Sequence, residues 1–560
     1  MRILLSHSDF IEYEPKSKAL ESAKKAVKEK KRIEECLVVF TAIEKNDGTA
    51  EVFQACDEID KVAGNVKTNR IVIYPWVHLT NTPASPTLAM DLLAEFEKKL
   101  ADKFEVYSSP FGWYKSFTIS CKGHPLSELS REIRLEKKQV NEEKYDYKEL
   151  LRQISKTKID TRVLKDNDHR ILGQKLDLFS FSETAPGMVF WHNNGWIVYN
   201  ELINFWRDEH RKLGYQEIST PQILDKKLWQ ISGHWEKYKE NIFLTSYENR
   251  EMAVKPMNCP SGILVYKSRP RSYRELPMRV AELGIVHRQE LSGVLNGLFR
   301  ITKFTQDDAH IYCTKDQLED EIIAIMSLID KIYKKFSLDY HIELSTRPEK
   351  RIGDEKLWDI AEKILKNVLN KHKIKFRVNP GDGAFYGPKI DFHIKDSLDR
   401  TWQCATIQLD FAMPERFDLE YMDSDNTQKR PVMIHRTIYG AIERFIGMLI
   451  EHLNGNFPVW LSPVQTRVLS LTDRNIKAVE ILTEKLKNNG IRADSDTSPS
   501  TVNEKIRNAE LMKISYIILI GDKEETNKTL AVRMHGEKPK FNVDPDKFIE
   551  GLKEEIRERR

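Results

Sequence analysis

The apolar positions of this chain fall into three regimes. Over roughly the first 140 residues, short apolar runs alternate with polar stretches. Ile3–Leu5 reads as a short strand, Ser17–Glu35 as a lysine-rich amphipathic helix, and Cys36–Glu44 and Arg70–Tyr74 as β-rich runs. Pro86–Leu100 reads as a second helix, with further strands at Phe104–Tyr107 and Lys115–Cys121. Between them lie the polar stretches HSDFIEYE, YPWVHLTNTPASP, PFGWYKSF and KGHPLSELSRE. Function gathers in such loops when a rigid sheet holds them. Residues 133–160 are charge-rich and helical in pattern, as a solvated linker helix would be.

The second regime opens at Asp168–Phe181 with DHRILGQKLDLFSF. It continues through a long helix over Tyr199–Leu213, closed by Gly214. Within it, Ala281–Val286 and Ile311–Tyr312 flank a polar loop holding Gly293 and Gly297, which predicts two antiparallel strands joined by a long loop. Arg288 and Arg300 stand at the two ends of that loop, as planar bidentate donors suited to a polyphosphate. Gln306, Asp307, Asp308 and His310 follow, and strand alternation can put polar groups from this run on one face. MIHRTIYGAIERFIGMLIEH reads as a strand leading into an apolar helix. The third regime follows the proline-bounded FPVWLSP. Strands VLSLT, IRADSD and YIILIGD alternate with helices Asn475–Asn488 and Val502–Met512 and a last charged helix, a doubly wound α/β pattern.

At 560 residues the chain is too long for one core, and three to four domains are expected. Charged residues make up 31% and hydrophobic ones 40%, which suits a soluble globular protein. A net charge of +4 neither demands nor excludes nucleic acid. Six scattered cysteines without a paired framework read as reduced, each available as a metal ligand. The apolar run in MRILLSHSDF is too short for a signal peptide, no run approaches a membrane span, and a cytoplasmic location is expected.

The stretch RVAELGIVHRQELSGVLNGLFRITKFTQDDAHIYC strongly resembles motif 2 of the class II aminoacyl-tRNA synthetases, and its QDDAHIYC tail resembles the threonyl-tRNA synthetase family. The long helix leading to YQEISTPQI is similar to motif 1, and MIHRTIYGAIERFIGMLIEH to motif 3. SGHWEKYKENIF, PMNCPSG, STRPEKRIG, GAFYGPKIDF and WQCATIQLDF extend the likeness over Ala185 to about Leu453. The four N-terminal polar stretches together resemble the editing domain of archaeal-type members, a relative of D-aminoacyl-tRNA deacylases. The bacterial type instead carries an HxxxH signature, which residues 1–160 lack.

The resemblance implies a multidomain α/β and α+β fold. Its parts are a deacylase-like editing domain at 1–140, a charged helical linker at 141–167, a class II antiparallel-sheet catalytic core at 168–455 and a doubly wound anticodon-binding domain at 456–560. It implies a threonine–tRNA ligase that uses ATP with Mg²⁺, L-threonine and tRNA(Thr), works as a homodimer through motif 1, and binds no membrane. By resemblance, Arg288 bridges the amino-acid carboxylate and the α-phosphate, Arg300 holds the γ-phosphate end, Arg444 stacks on adenine against Phe304, and Glu290 accepts from the adenine amino group. Cys259, His310 and His435 would bind one Zn²⁺ per chain. One thiolate and two imidazoles suit zinc and leave a coordination position for substrate. Asp308 would accept the threonine hydroxyl proton, while Met257, Tyr386, Lys389, Gln403 and Gln408 match further substrate positions.

Serine differs from threonine by one methyl, worth about 1–3 kcal/mol of discrimination, so a second, hydrolytic site is expected. His78, Tyr114, Lys115 and Glu128 are its carried-over residues, with Lys115 and Glu128 holding the substrate and its attacking water. Glu524 and Arg533 are the anticodon-contact candidates. TSPSTVNEK after Asp496 departs from the family's polar run and leaves contacts in that loop open. Two other readings stand beside it: a class II synthetase for serine or proline, and a non-catalytic paralogue acting as an RNA-binding regulator. The cysteine–histidine set argues against proline as the amino acid, and the retained arginines argue against a paralogue without catalysis.

Overall fold

A computed structural model describes residues 1–21, 23–133, 147–154, 164–248, 250–396 and 400–560. Most of the linker helix expected over 133–160 lies outside the described residues; Tyr147–Ile154 within it is helical. The chain divides into two compact units, Met1–Tyr147 and Lys148–Arg560.

In the first unit a six-stranded sheet runs in the order Glu105–Ser108, Arg70–Pro75, Lys31–Ala42, Arg2–Lys18, Trp113–Cys121, with Glu128–Glu132 also pairing to the Arg2–Lys18 strand. The central runs CLVVF and IVIY are continuously apolar because they are covered on both faces. Leu37, Val39, Ile71 and Ile73 pack on the helices Thr49–Val66 and Pro86–Ala101. Val38, Phe40, Val72 and Tyr74 point the other way and join Ile11 and Tyr13 in a second apolar layer. The Thr49–Val66 helix escaped the sequence reading because Ala55, Cys56 and Ala63, all small, supply half of its buried stripe.

The helix expected over Ser17–Glu35 is not formed. The first strand is not the short Ile3–Leu5 but runs from Arg2 to Lys18, and its pairing to the next strand extends from Arg2↔Ala42 to Tyr13↔Lys31. Residues 31–35 are thereby claimed by the sheet, and Ser17 and Lys18 pair with Tyr114 and Trp113. Val27, which an amphipathic helix would bury, is 72% exposed. The segment is rich in good helix formers but offers few apolar positions to pack as a helix face, and two long strand ladders override its propensity.

The second unit is built on an eight-stranded sheet in the order Arg377–Asn379, Tyr340–Ser345, Lys389–Lys395, Thr401–Asp410, Val432–Thr437, Lys303–Cys313, Met278–His287, Gln216–Glu217. Its inner pairings are antiparallel and its two outermost are parallel. The helices Asn193–Lys212, Leu318–Lys335, Glu355–Lys371 and Ile442–His452 bury their apolar stripes in one continuous core with it. A five-stranded sheet, Ala493–Asp496, Thr466–Ser470, Tyr516–Ile520, Leu530–Met534, Lys540–Val543, forms the C-terminal part; its last two strands run antiparallel. FPVWLSP is more than a linker. Phe457, Trp460 and Leu461 are buried in the large core, and the Trp460 ring lies 5.6 Å from Phe205 and 5.9 Å from Phe336. Arg559, near the C-terminus, covers the Phe205 ring at 4.8 Å and pairs with Asp208. No helix among the described residues is long and apolar enough to cross a membrane.

Candidate active site and metal-ligating centre

A cavity of about 560 Å³ is lined by the central strands of the eight-stranded sheet and the segments beside them. The four arginine and glutamate positions expected to hold a nucleotide, Arg288, Glu290, Arg300 and Arg444, all line it. So do Met257, Phe304, Asp308, Tyr386, Lys389, Gln403 and Gln408, together with Cys259 and His435. Strand alternation sends Gln306 and Asp308 to the cavity and buries Asp307 on the other side. There the Asp307 carboxylate accepts from the backbone N–H groups of Ile438, Tyr439 and Gly440 and so fixes the turn ahead of the Ile442–His452 helix. Gly440 has φ +76°, and a Cβ there would stand 2.8 Å from the Cys404 carbonyl oxygen, so the turn requires glycine.

The sheet register sets His310 opposite His435, and His435 opposite Gln408. Cys259 begins the helix Cys259–Lys267, and one ligand atom from each of Cys259, His310 and His435 lies within 4.8 Å of the others. All three are buried. His435 Nε2 pairs with Asp410 Oδ2 at 2.8 Å, which leaves Nδ1 for other use. His310 Nε2 is buried with no hydrogen-bond partner. Burial pushes the Cys259 thiol well up, with Asp308 and Asp410 adding to it, and pushes His310 well down. Two imidazoles and a thiol form a donor set that fits a soft-to-borderline divalent metal. Asp308, raised to about 6 by burial, accepts from Asn258 Nδ2 at 3.2 Å beside this centre.

The nucleotide-side groups are held without ligand. Arg288 lies over the Phe304 ring at 5.1 Å and donates to the Pro256 carbonyl. Burial lowers its pKa. Arg300 donates to Glu290 at 3.0 Å, and Arg444 Nε to the Phe299 carbonyl at 2.9 Å. Arg444 and Phe304 both line the cavity, and it is the Arg288 guanidinium that covers the Phe304 ring. At the opposite wall Tyr386 donates to Gln408 at 2.5 Å, Lys389 lies 2.8 Å from Asp391, and Gln403 donates to Asp391 at 2.6 Å. Asp391 and Asp410, both fully buried, are the residues sequence reasoning missed. Their signal was a carboxylate at the strand position beside a predicted polar one, in PKIDF and TIQLDF.

In the first unit Lys115 projects over the Tyr74 ring at 4.6 Å and donates to the Pro110 carbonyl at 2.8 Å; burial lowers its pKa to about 8. Tyr74, Trp76 and Phe117 form one aromatic cluster, and His78 lies against Trp76 at 5.6 Å. Lys115 and His78 thus each touch this aromatic cluster, at different rings. Tyr114, its neighbour on the strand, faces the opposite side and is 66% exposed. Glu128 pairs at Ser6 while Lys115 pairs at Pro15, so these two stand toward opposite ends of the first strand rather than side by side. In the C-terminal part Glu524 caps its own helix by accepting from Gly521 N, and Arg533 pairs with Glu510 at 2.6 Å. Both candidates therefore already have structural partners. In the atypical loop, Ser498 donates to Asp496 and Thr501 caps the following helix.

Comparison with known proteins agrees with this anatomy. Residues 1–133 match the family described as the Archaea-specific editing domain of threonyl-tRNA synthetase. Residues 243–453 match the class II tRNA synthetase core domain for G, H, P, S and T, and residues 460–555 an anticodon-binding domain. A crystal structure titled as the RNA binding domain of threonyl-tRNA synthetase from Cryptosporidium parvum Iowa II superposes with a TM-score of 0.68 at 40% identity, covering 69% of this chain and 98% of that one. The chain belongs to the threonyl-tRNA synthetase family. It is 53% identical over 396 residues to the threonine–tRNA ligase of Carboxydothermus hydrogenoformans, a match covering 71% of this chain and 62% of the relative. The corresponding ligase of Clostridium botulinum strain 657 is 53% identical over 393 residues, 70% of this chain and 62% of the relative. The chain thus spans less than two thirds of the length of the curated relatives it matches.

Proposed function

We propose that this chain is a threonine–tRNA ligase that activates L-threonine with ATP, transfers it to tRNA(Thr), and hydrolyses mischarged seryl-tRNA in its first unit. The observation that carries the reading is the meeting of Cys259, His310 and His435 with Asp308 and Arg288 around one cavity. A metal-ligating thiolate–imidazole set beside a phosphate-gripping arginine suits a small hydroxyl amino acid being joined to a nucleotide. The family matches at 1–133, 243–453 and 460–555 support domains at 1–140, 168–455 and 456–560.

In this mechanism Arg288 neutralises the two anions that must approach, the amino-acid carboxylate and the α-phosphate. Its burial makes the charge count for more, because little water competes. Arg300 and Glu290 part from each other to take the triphosphate end and the adenine amino group, and Mg²⁺ accompanies the triphosphate. Arg444 and Phe304 flank the base. Cys259, His310 and His435 would hold Zn²⁺, which as a Lewis acid would bind the threonine amino group and hydroxyl. Asp308 accepts the hydroxyl hydrogen. Valine lacks that hydroxyl and forgoes its hydrogen bond to Asp308, whereas serine keeps it and is rejected weakly.

The first unit supplies the correction. Lys115, a half-buried cation on an aromatic floor, would polarise the ester carbonyl as the tetrahedral intermediate forms, with His78 at the rim. We place the protein in the cytoplasm as a homodimer through residues 199–221. Charging of tRNA(Thr) with labelled threonine, followed by hydrolysis of supplied seryl-tRNA(Thr) and threonyl-tRNA(Thr), tests both activities. The reading requires charging with threonine and preferential clearance of the seryl ester.

A further inference from the structure

The turn that presents Arg300 to the cavity is gripped from behind by a side chain more than 120 positions earlier. His169, 1% exposed in its side chain, begins the helix His169–Lys175. Its Nε2 accepts the backbone N–H of Leu298 at 2.9 Å. The ring proton therefore sits on Nδ1, which donates to Glu451 Oε1 at 2.7 Å; the His169 backbone N–H donates to the same oxygen at 3.1 Å. Glu451, near the end of the Ile442–His452 helix, is also held by Arg400, whose guanidinium covers the stacked Phe299 and Trp402 rings at 5.5 and 5.2 Å. The turn closes on itself through Asn296, which accepts from Phe299 N and Arg300 N. Gly297 has φ +49°, and a Cβ there would lie 2.1 Å from His169 Nε2, so the backbone can approach the imidazole only because no side chain intervenes. The same turn serves the second arginine, because Arg444 donates to the Phe299 carbonyl. Leu298, Phe299 and Arg300 all line the cavity, while His169 does not.

We propose that His169 is a positioning residue for the nucleotide: by holding Leu298 through Nε2 it sets where Arg300 and the Phe299-anchored Arg444 meet ATP. This rests on the ATP-dependent activation proposed above. Both arginines act on the ATP side of the cavity, whereas Cys259, His310, His435 and Asp308 act on the amino-acid side. Loosening the turn should therefore weaken ATP and spare threonine. Removing the buried acceptor leaves the Leu298 N–H unsatisfied and frees the turn, and the expected change in the KM for ATP is roughly tenfold.

The test is ATP–pyrophosphate exchange by the full chain, with ATP varied at saturating threonine and threonine varied at saturating ATP. His169→Phe keeps the ring volume and removes both hydrogen bonds. His169→Gln reaches as far as Nε2 with an acceptor, and His169→Asn retains only the donor near Nδ1. The Phe and Asn variants should raise the KM for ATP roughly tenfold, with the KM for threonine within twofold of wild type. The Gln variant should return the KM for ATP to within about threefold. If the Phe variant does not fold, the Asn–Gln comparison carries the same reading. An unchanged KM for ATP in folded Phe or Asn variants, equal effects on ATP and threonine, or a Gln variant no better than Asn would overturn the proposal. Wild-type protein without threonine-dependent exchange would remove the activity reading, and the proposal with it.

Discussion

Replacing Asp410 by asparagine keeps its shape and removes its charge, and the consequences can be worked out atom by atom. Asp410 Oδ2 faces His435 Nε2 at 2.8 Å, while Oδ1 accepts the N–H groups of Ala412 and Met413 at 2.7 and 2.9 Å. An asparagine must point its NH₂ at one of these sides. Turned toward Ala412 and Met413, it sets donor against two donors in a fully buried position. Turned toward His435, it faces Nε2 with a donor and drives the ring proton to Nδ1, the nitrogen needed for the metal. Either orientation weakens His435 as a ligand. Losing such a supporting carboxylate typically costs about 10–100-fold in metal affinity, or roughly 1.4–2.7 kcal/mol. The assay is zinc content and competition with a chromophoric chelator, run on wild type, Asp410→Asn and Cys259→Ala. Cys259→Ala should lose zinc and threonine activation together. Asp410→Asn should hold zinc with an affinity lower by the stated factor. Wild-type affinity in Asp410→Asn would refute the argument that Asp410 sets the His435 tautomer, and full zinc in Cys259→Ala would remove the metal centre.

Three other outcomes are expected. Arg288→Ala should lower threonine-dependent exchange by roughly 10²–10³, the scale for deleting one donor aimed at developing charge, while deacylation of supplied seryl-tRNA continues; equal loss of both activities would contradict the division of labour. Lys115 carries its charge below about 8 and loses it above, because burial depresses its pKa from the usual lysine range. Seryl-tRNA hydrolysis should therefore fall as pH rises through 8, once the intrinsic hydrolysis of the ester is subtracted, and Lys115→Ala should abolish that fall along with the activity. The same shift has the opposite sign for stability: from about pH 8 to the unfolded lysine value the unfolded chain holds the extra proton, so this group's contribution to folding becomes more favourable with rising pH. Light scattering should give twice the 65.5 kDa chain mass, and a monomeric mass at working concentration would count against dimerisation through residues 199–221.

The parts of this structure that could be read in the sequence are those where one local pattern dominates. The apolar segments Ala281–Val286 and Ile311–Tyr312 flank a glycine-bearing loop, and they fall within the strands Met278–His287 and Lys303–Cys313. The alternation QDDAH could likewise be assigned to two faces, although only the structure shows that Asp307 turns inward to hold a distant turn. What stayed hidden depends on pairing between distant segments. The Lys31–Ala42 strand takes residues from a predicted helix because its register with Arg2–Lys18 runs back to Lys31. Lys115 and Glu128 were expected to act together, yet the strand edge they share separates them by the distance between Pro15 and Ser6. Asp410 and His169 work by hydrogen bonds to residues 25 and 129 positions away, a relationship no spacing rule encodes.

The central claim is that the cavity lined by Cys259, Asp308, Arg288 and Arg444 activates threonine at the expense of ATP. Amino-acid-dependent ATP–pyrophosphate exchange with the purified, zinc-loaded chain tests it most directly, using threonine, serine, valine and proline in parallel. The account predicts strong exchange with threonine, weaker but measurable exchange with serine, and none above background with valine or proline. Exchange that favours valine or proline, or none with threonine from a folded, metal-replete protein, would contradict it.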